Sequence, residues 1–240
     1  IKWYETIYQE TARRQMIVNC HGANKPTGER RIYPNVINRE AIRGNEMRNI
    51  DSSVTVNSMF TRGVLGSCDF TPVVTPRSPG MTMGQQMALA VLYESGTPSM
   101  ADYADTYRDE LINNFYKSVP AARDETVYLC GLPDEYYCAA VRVGDEWFVA
   151  GINGILESQA TIDFSFLGEG SGRIFHRRRR CENGGKTDKN HHFRHQGNGF
   201  HGEKRRIRVS SHQSLIFFCP RKTGRKASER PLSRGCGRAV

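Results

Sequence analysis

Six side chains able to do acid–base or metal chemistry stand out in the first part of the chain: His21, Glu29, Glu40, Glu46, Asp69 and Asp102. His21 closes a short apolar run, Met16-Ile17-Val18-Asn19-Cys20. Glu29, Glu40 and Glu46 follow in a polar stretch among Lys25, Arg30, Arg31, Arg39 and Arg43. Asp69 and Asp102 end the next two strand-like segments. Breaking a glycosidic bond takes two carboxyl groups, one a proton donor and the other a base or nucleophile. A hard cation such as calcium takes several carboxylate or carbonyl oxygens. Acidic residues gathered at the C-terminal ends of parallel strands serve both purposes. The pattern alone has little specificity. A loop carboxylate is more often solvated surface, and a lone histidine is more often a hydrogen-bonded structural group.

The elements that would position these residues follow from periodicity. Trp3, Ile7 and Ala12, flanked by Tyr4 and Tyr8, predict an amphipathic helix ending near Gln15, with a buried strand at 16–20. Lys25-Pro26-Thr27-Gly28 to Tyr33-Pro34-Asn35 reads as a loop. Val54–Leu65 reads as a strand region broken at Gly63 and Gly66, Gln85–Tyr93 as a buried helix, Ser99–Asp102 as a short strand and Asp105–Phe115 as a helix. Alternating strands and helices imply β/α units on a parallel sheet. After Asp124 the period shortens: Thr126–Cys130, Tyr136–Val143, Glu146–Ile152 and Ala160–Phe166 predict an antiparallel β unit.

Composition divides the chain again near residue 176. The whole carries 34 Lys and Arg against 25 Asp and Glu, a net +9. Residues 176–240 hold 18 of those basic groups and 4 of the acidic ones, so the tail is +14 and residues 1–175 are −5. Six of the seven histidines also lie in the tail, which has no Tyr, Trp or Met. A segment so charged and so poor in apolar residues is expected to pack poorly, with Ser214–Cys219 as its one regular element. Its abrupt change of composition also reads as an out-of-frame stretch. The seven cysteines are scattered without the spacing of a zinc site or a disulfide framework. No apolar run is long enough for a membrane-spanning helix. Ile1-Lys2-Trp3-Tyr4-Glu5 opens in mid-helix, as a fragment would, and shows no signal peptide.

The stretch Cys20–Glu46, CHGANKPTGERRIYPNVINREAIRGNE, resembles glycoside hydrolase family 97. Its members carry a strand ending in His-Gly-Ala, then Lys-Pro-Thr-Gly, an Arg-x-Tyr-Pro-Asn segment and a Glu-x-x-x-Gly-x-Glu segment. Phe60-Thr61-Arg62 through Cys68-Asp69-Phe70-Thr71-Pro72 resembles a further family strand. Val119-Pro120 with Asp124-Glu125-Thr126 resembles the junction into the C-terminal domain, and Trp147–Asn153 a strand within it. The resemblance runs over about residues 3–175.

It implies an α/β fold: the C-terminal half of a (β/α)8 TIM-type barrel at 1–124, an incomplete antiparallel β domain at 125–175, and the basic, poorly ordered tail at 176–240. A complete barrel needs ~250 residues, about twice the β/α part. The implied activity is a calcium-assisted, exo-acting α-glycosidase on an α-linked oligosaccharide or α-galactoside, with glucose and galactose both open. Residue by residue, Glu46 matches the general acid, which lies against the calcium, and Glu40 matches a calcium-ligating glutamate. His21 matches a substrate-contacting histidine, and Lys25, Arg30 and Asp69 line the pocket. Inverting members place a base glutamate directly after the histidine. Gly22 stands there, which implies the retaining branch, whose nucleophile is an aspartate on the preceding barrel strand. No residue here matches that aspartate or the family's N-terminal β-sandwich, and a truncated, inactive copy is the competing reading of the isolated chain. Family members are periplasmic or secreted, which becomes the expectation for the parent protein.

Two other functions compete. The Lys/Arg-rich tail could bind nucleic acid or another polyanion through counterion release, but its Phe193, Phe200 and Phe217-Phe218 lack the spacing of an RNA-binding module. Residues 126–175 could bind carbohydrate, although the resemblance makes that domain a support for the barrel.

Overall fold

A computed structural model describes residues 2–47, 50–72, 81–156, 158–162, 166, 170–175, 198–200, 205–209 and 215–219. Helix α1 (Lys2–Arg13) buries Tyr8 and leads into strand β1 (Val18–Cys20). β1 pairs in parallel with β2 (Val36–Arg39). Asn35 staples the turn between α1 and β1: its amide donates to the Tyr8 and Met16 carbonyls and to the Thr11 hydroxyl at 3.0–3.3 Å. Cys68–Phe70 continues the succession beside β2 without forming a regular ladder. Asp69 N–H donates to the Arg39 carbonyl at 3.3 Å, Cys68 N–H to the Glu94 carbonyl at 2.7 Å, and Asn45 N–H to the Phe70 carbonyl at 3.2 Å.

Three helices follow: α2 (Ser52–Phe60), α3 (Met83–Leu92) and α4 (Glu110–Ser118). Each starts on a side-chain cap, Asp51, Thr82 or Asp109, which accepts from a backbone N–H of the first turn. Beyond them stands an antiparallel sheet ordered β3-β4-β5-β10-β7-β8. Its strands are β3 (Glu125–Leu132), β4 (Tyr136–Val143), β5 (Glu146–Asn153), β7 (Gly170–Phe175), β8 (Asn198–Phe200) and β10 (Leu215–Cys219). β6 (Ser158–Ile162) pairs separately with β9 (Arg205–Val209).

The main core lies between the helices and one face of the sheet. Val56, Met87, Leu89, Val91, Ile112 and Phe115 pack on Ala139, Val141, Phe148, Ala150 and Ile152. The two-residue period of a strand sends the alternate side chains Cys138, Ala140 and Val149 to the opposite face, where Ile162 covers them. Arg123 ties the end of α3 into this layer by donating to the Val91 and Leu92 carbonyls at 2.6 and 3.2 Å. Tyr93 donates to the Thr55 carbonyl at 3.0 Å and stacks on Phe70, joining α2, α3 and the strand-end segment.

Several expectations need correction. Val54–Leu65 is not a strand but α2 followed by a 3-10 turn at Arg62–Leu65. The Asp51 cap and the burial of Thr55, Val56 and Met59 on one helical face outweigh the β preference of Val54-Thr55-Val56. Ser99–Asp102 forms no strand. The helix expected at 105–115 starts later, after a 3-10 turn at Ala104–Arg108. In the basic tail Leu215–Cys219 is a strand as expected, but Asn198–Phe200 and Arg205–Val209 are strands too, held by pairing with β7 and β6. Backbone pairing places the charged run 205–209 where side-chain hydrophobicity would not. Arg177–Arg180 and His191-His192 lie outside the described residues. Among the described residues no helix is long and apolar enough to cross a membrane.

Candidate functional site at the strand ends

The site is built where β1, β2 and the Cys68–Phe70 segment end together. Glu40 N–H donates to the Cys20 carbonyl at 2.8 Å, continuing the β1–β2 pairing by one residue and bringing His21 and Glu40 side by side. His21 Nε2 lies 3.6 Å from Glu40 Oε1, and the Gly22 N–H donates to Glu40 Oε2. Gly22 has φ +66, a conformation that side chains rarely adopt, and a Cβ there would meet nothing within 4 Å. Open space therefore lies beside Glu40 where a residue other than glycine would project.

Asp69 is fully buried and completely partnered. Oδ1 accepts from the Ser99 N–H at 2.6 Å, and Oδ2 accepts from the Ser99 hydroxyl at 2.6 Å and from Asn19 at 3.1 Å. His21 Nδ1 lies 3.1 Å from the same Oδ2. Burial by itself raises the Asp69 pKa, but the donors from Ser99, Asn19 and His21 outweigh it and hold the carboxyl below its usual range. An ionised Asp69 favours the tautomer with the proton on Nδ1, which turns Nε2 toward Glu40 and the open side.

Glu46 completes the cluster. One ligand atom from each of His21, Glu40 and Glu46 lies within 4.8 Å of the other two, close enough together that one metal ion could reach all three. Glu46 sits in a 3-10 turn (Asn45–Met47), and its Oε2 is buried without a hydrogen-bond partner. Its carboxyl folds over Gly44 so closely that a methyl group at residue 44 would overlap it.

Arg62, given no role by its position in the sequence, fixes the frame beneath. Only 7% exposed, it donates through Nε and Nη2 to the Glu40 carbonyl at 3.1 and 2.7 Å. Nη2 also reaches the Arg39 and Ser67 carbonyls, each at 2.8 Å, and Nη1 the Gly66 carbonyl at 3.1 Å. One guanidinium thus joins the end of β2 to the segment carrying Asp69, and its burial lowers its pKa. Ala41 (φ 47) and Thr71 (φ 64) hold left-handed backbone next to Glu40 and just beyond Asp69, so both chain exits are strained.

The remaining expected residues fall at the margins. Lys25 and Arg30 are exposed on the loop, with the Arg30 guanidinium against Gly66. Glu29 is drawn away from the cluster by its ion pair with the buried Arg39, which also donates to Asn24 at 2.7 Å and packs over the Tyr4 ring. Asp102 accepts from the Tyr103 N–H at 2.8 Å and acts electrostatically on Tyr107 and Tyr116, a setting apart from the His21 cluster.

Comparison with known proteins places these features. A sequence profile described as Glycoside hydrolase 97 matches residues 1–42, and one described as Glycosyl-hydrolase 97 C-terminal, oligomerisation, matches residues 122–210. The chain belongs to glycoside hydrolase family 97 and corresponds to its C-terminal part. It is 36% identical over 155 residues to a probable retaining alpha-galactosidase of Streptomyces bingchenggensis, spanning 63% of this chain and 24% of that protein. It is 34% identical over 182 residues to a retaining alpha-galactosidase of Bacteroides thetaiotaomicron, spanning 67% of this chain and 27% of that protein. The chain therefore covers about a quarter of the length of these relatives. Among solved structures, a family 97 enzyme from Pseudoalteromonas sp. strain K8 in complex with acarbose aligns over 90% of this chain and 36% of its own, with TM-score 0.78 and 22% identity. A beta-arabinopyranosidase aligns over 89% of this chain and 36% of its own, with TM-score 0.69 and 22% identity. At that identity the likeness is one of fold.

Proposed function

We propose that the chain supplies the acid/base half of a retaining α-glycosidase site, acting on an α-galactoside. The carrying observation is the convergence of Glu40 and Glu46 with His21 at one strand end, with Glu46 Oε2 buried and unpartnered. The succession β1, β2, Cys68–Phe70 is read as consecutive staves of a partial (β/α)8 barrel, whose active sites lie at this end. Galactose is favoured over glucose because the relatives of 34–36% identity are named retaining alpha-galactosidases, while the structure bound to acarbose is only 22% identical.

In this reading Glu46 donates its proton to the departing glycosidic oxygen and then, as the carboxylate, takes one from the incoming water. His21, oriented by Asp69, presents Nε2 to a sugar hydroxyl. Lys25 and Arg30 border the opening. The nucleophile is an aspartate of the preceding barrel strand, set about 5–5.5 Å from Glu46 as double displacement requires. For the parent enzyme we propose the periplasmic or secreted placement that the family resemblance implies.

A calcium ion fits the donor set in part. Glu40 and Glu46 offer hard oxygen ligands, and the orphaned Glu46 oxygen is the kind of atom a cation would satisfy, whereas the His21 nitrogen suits calcium poorly and remains for substrate. Bound there, calcium would fix the two carboxylates and neutralise charge in the pocket. A cation held there would favour the carboxylate form of Glu46, whereas a general acid must keep its proton, so the two roles would pull the same side chain in opposite directions.

The test joins the family's N-terminal half to this chain and follows the first-formed sugar by proton NMR. Release of the α-anomer supports the retaining assignment, and β-anomer appearing first refutes it. Glu40→Gln is expected to weaken calcium binding by calorimetry and to recover part of its activity in excess calcium. Unchanged calcium affinity would remove Glu40 from the metal set.

A further inference from the structure

We infer that Cys130 and Cys138 form a modification site on the outer part of the β domain, closing into a cross-strand disulfide when they meet a disulfide oxidant. The two cysteines are direct partners in the antiparallel register of β3 and β4. Residues so paired put their side chains on the same face, with Cα atoms about 4.5–5.5 Å apart, inside the roughly 4.4–6.8 Å that a disulfide spans. The register slips between Tyr128 and Cys130, so an extra residue bulges out just before the pair and leaves Cys130 opposite Cys138. Cys130 packs against the small apolar cluster that contains Cys138.

Their surroundings differ in a way that divides the labour. Cys138 is 3% exposed, enclosed by Ala140, Val149 and Ile162. Cys130 is half-buried and reachable from solvent. Interaction between the two thiols holds Cys130 below the usual thiol range and, together with burial, pushes Cys138 well above it. The reachable sulfur is therefore the better nucleophile and the enclosed one the resolving group. The Cys130 thiolate attacks one sulfur of a small-molecule or protein disulfide, forming a mixed disulfide and expelling one thiolate. Cys138 then loses its proton and attacks Cys130 Sγ, releasing the second thiol. One disulfide is reduced to two thiols while the two protein thiols become one disulfide, so electrons and protons balance.

The experiment incubates the 240-residue chain with oxidised glutathione, alkylates the remaining thiols, and digests with trypsin. Asp124–Arg142 contains both cysteines and no internal Lys or Arg, so a closed pair appears as a single unalkylated peptide about 2 Da lighter than its dithiol form. Chymotryptic cleavage after Tyr136 or Tyr137 is expected to leave two peptides that separate only on reduction. In Cys138→Ala, Cys130 stops at the glutathione adduct. Recovery of the wild-type peptide with both cysteines alkylated, or with Cys130 held as a stable glutathione adduct, overturns the inference.

Discussion

Val56, Leu89, Phe148 and Ala150, between the helices and the sheet, are as deeply buried as Asn38, Arg39, Arg62 and Asp69 at the strand ends. The first group needs only shape and loses water from apolar surface. The second needs partners for its buried polar groups, and among these four residues only Arg39 Nε goes without one. Asn38 is answered by Ser95, Arg39 by Glu29 and Asn24, Arg62 by four backbone carbonyls, and Asp69 by Ser99, Asn19 and His21. Folding alone would favour apolar packing in both places. A buried polar frame beside an unpartnered Glu46 oxygen sets the strand ends apart from the apolar core.

The contrast can be broken by substitution. Phe148→Ala is expected to cost about 3–5 kcal/mol by leaving a cavity in the core, and to lower protection from hydrogen exchange across α2, α3 and β4–β5 together. Arg62→Met should cost about as much, ~3–5 kcal/mol, for a different reason: it removes the partner of four buried carbonyls. Its exchange signature should stay within residues 18–46 and 66–72. Identical exchange maps for the two variants would erase the distinction between regions.

Asp69→Asn is a smaller change, about 1–3 kcal/mol, because an amide cannot accept from all the donors aimed at it. The folded carboxyl titrates below its unfolded value, so its contribution is fully present above the unfolded pKa and is lost as pH falls through the folded one. Wild type should therefore lose stability on acidification below about pH 4, where Asp69→Asn is flatter. Equal acid slopes in urea unfolding would mean that Asp69 is not ionised in the native state. Asn35→Ala, at about 1 kcal/mol, should loosen the α1–β1 turn without altering the His21 cluster.

Much of this was legible beforehand. The helix at 2–13, the buried helix at 83–92 and strands β3–β5 follow from simple periodicity, and the strand end after Cys20 located His21. Motif resemblance then selected Glu40, Glu46 and Asp69, which the fold brings together with His21. What remained hidden depends on partners distant in sequence. β2 is half polar, and its Asn38 and Arg39 are tolerable inside only because Ser95 and Glu29 meet them. Arg62 reads as surface charge until four carbonyls surround it. Cysteines eight residues apart show no framework spacing, and only the hairpin register makes Cys130 and Cys138 neighbours.

The central claim, that Glu46 is the proton donor, is tested most directly by the leaving-group dependence of Glu46→Gln in the enzyme completed with its N-terminal half. Loss of a general acid should slow cleavage of an unactivated α-galactoside by roughly 10²–10⁴-fold. An activated aryl galactoside, whose leaving group needs little protonation, should lose far less in the glycosylation step. Full activity of the variant on the unactivated substrate would contradict the assignment.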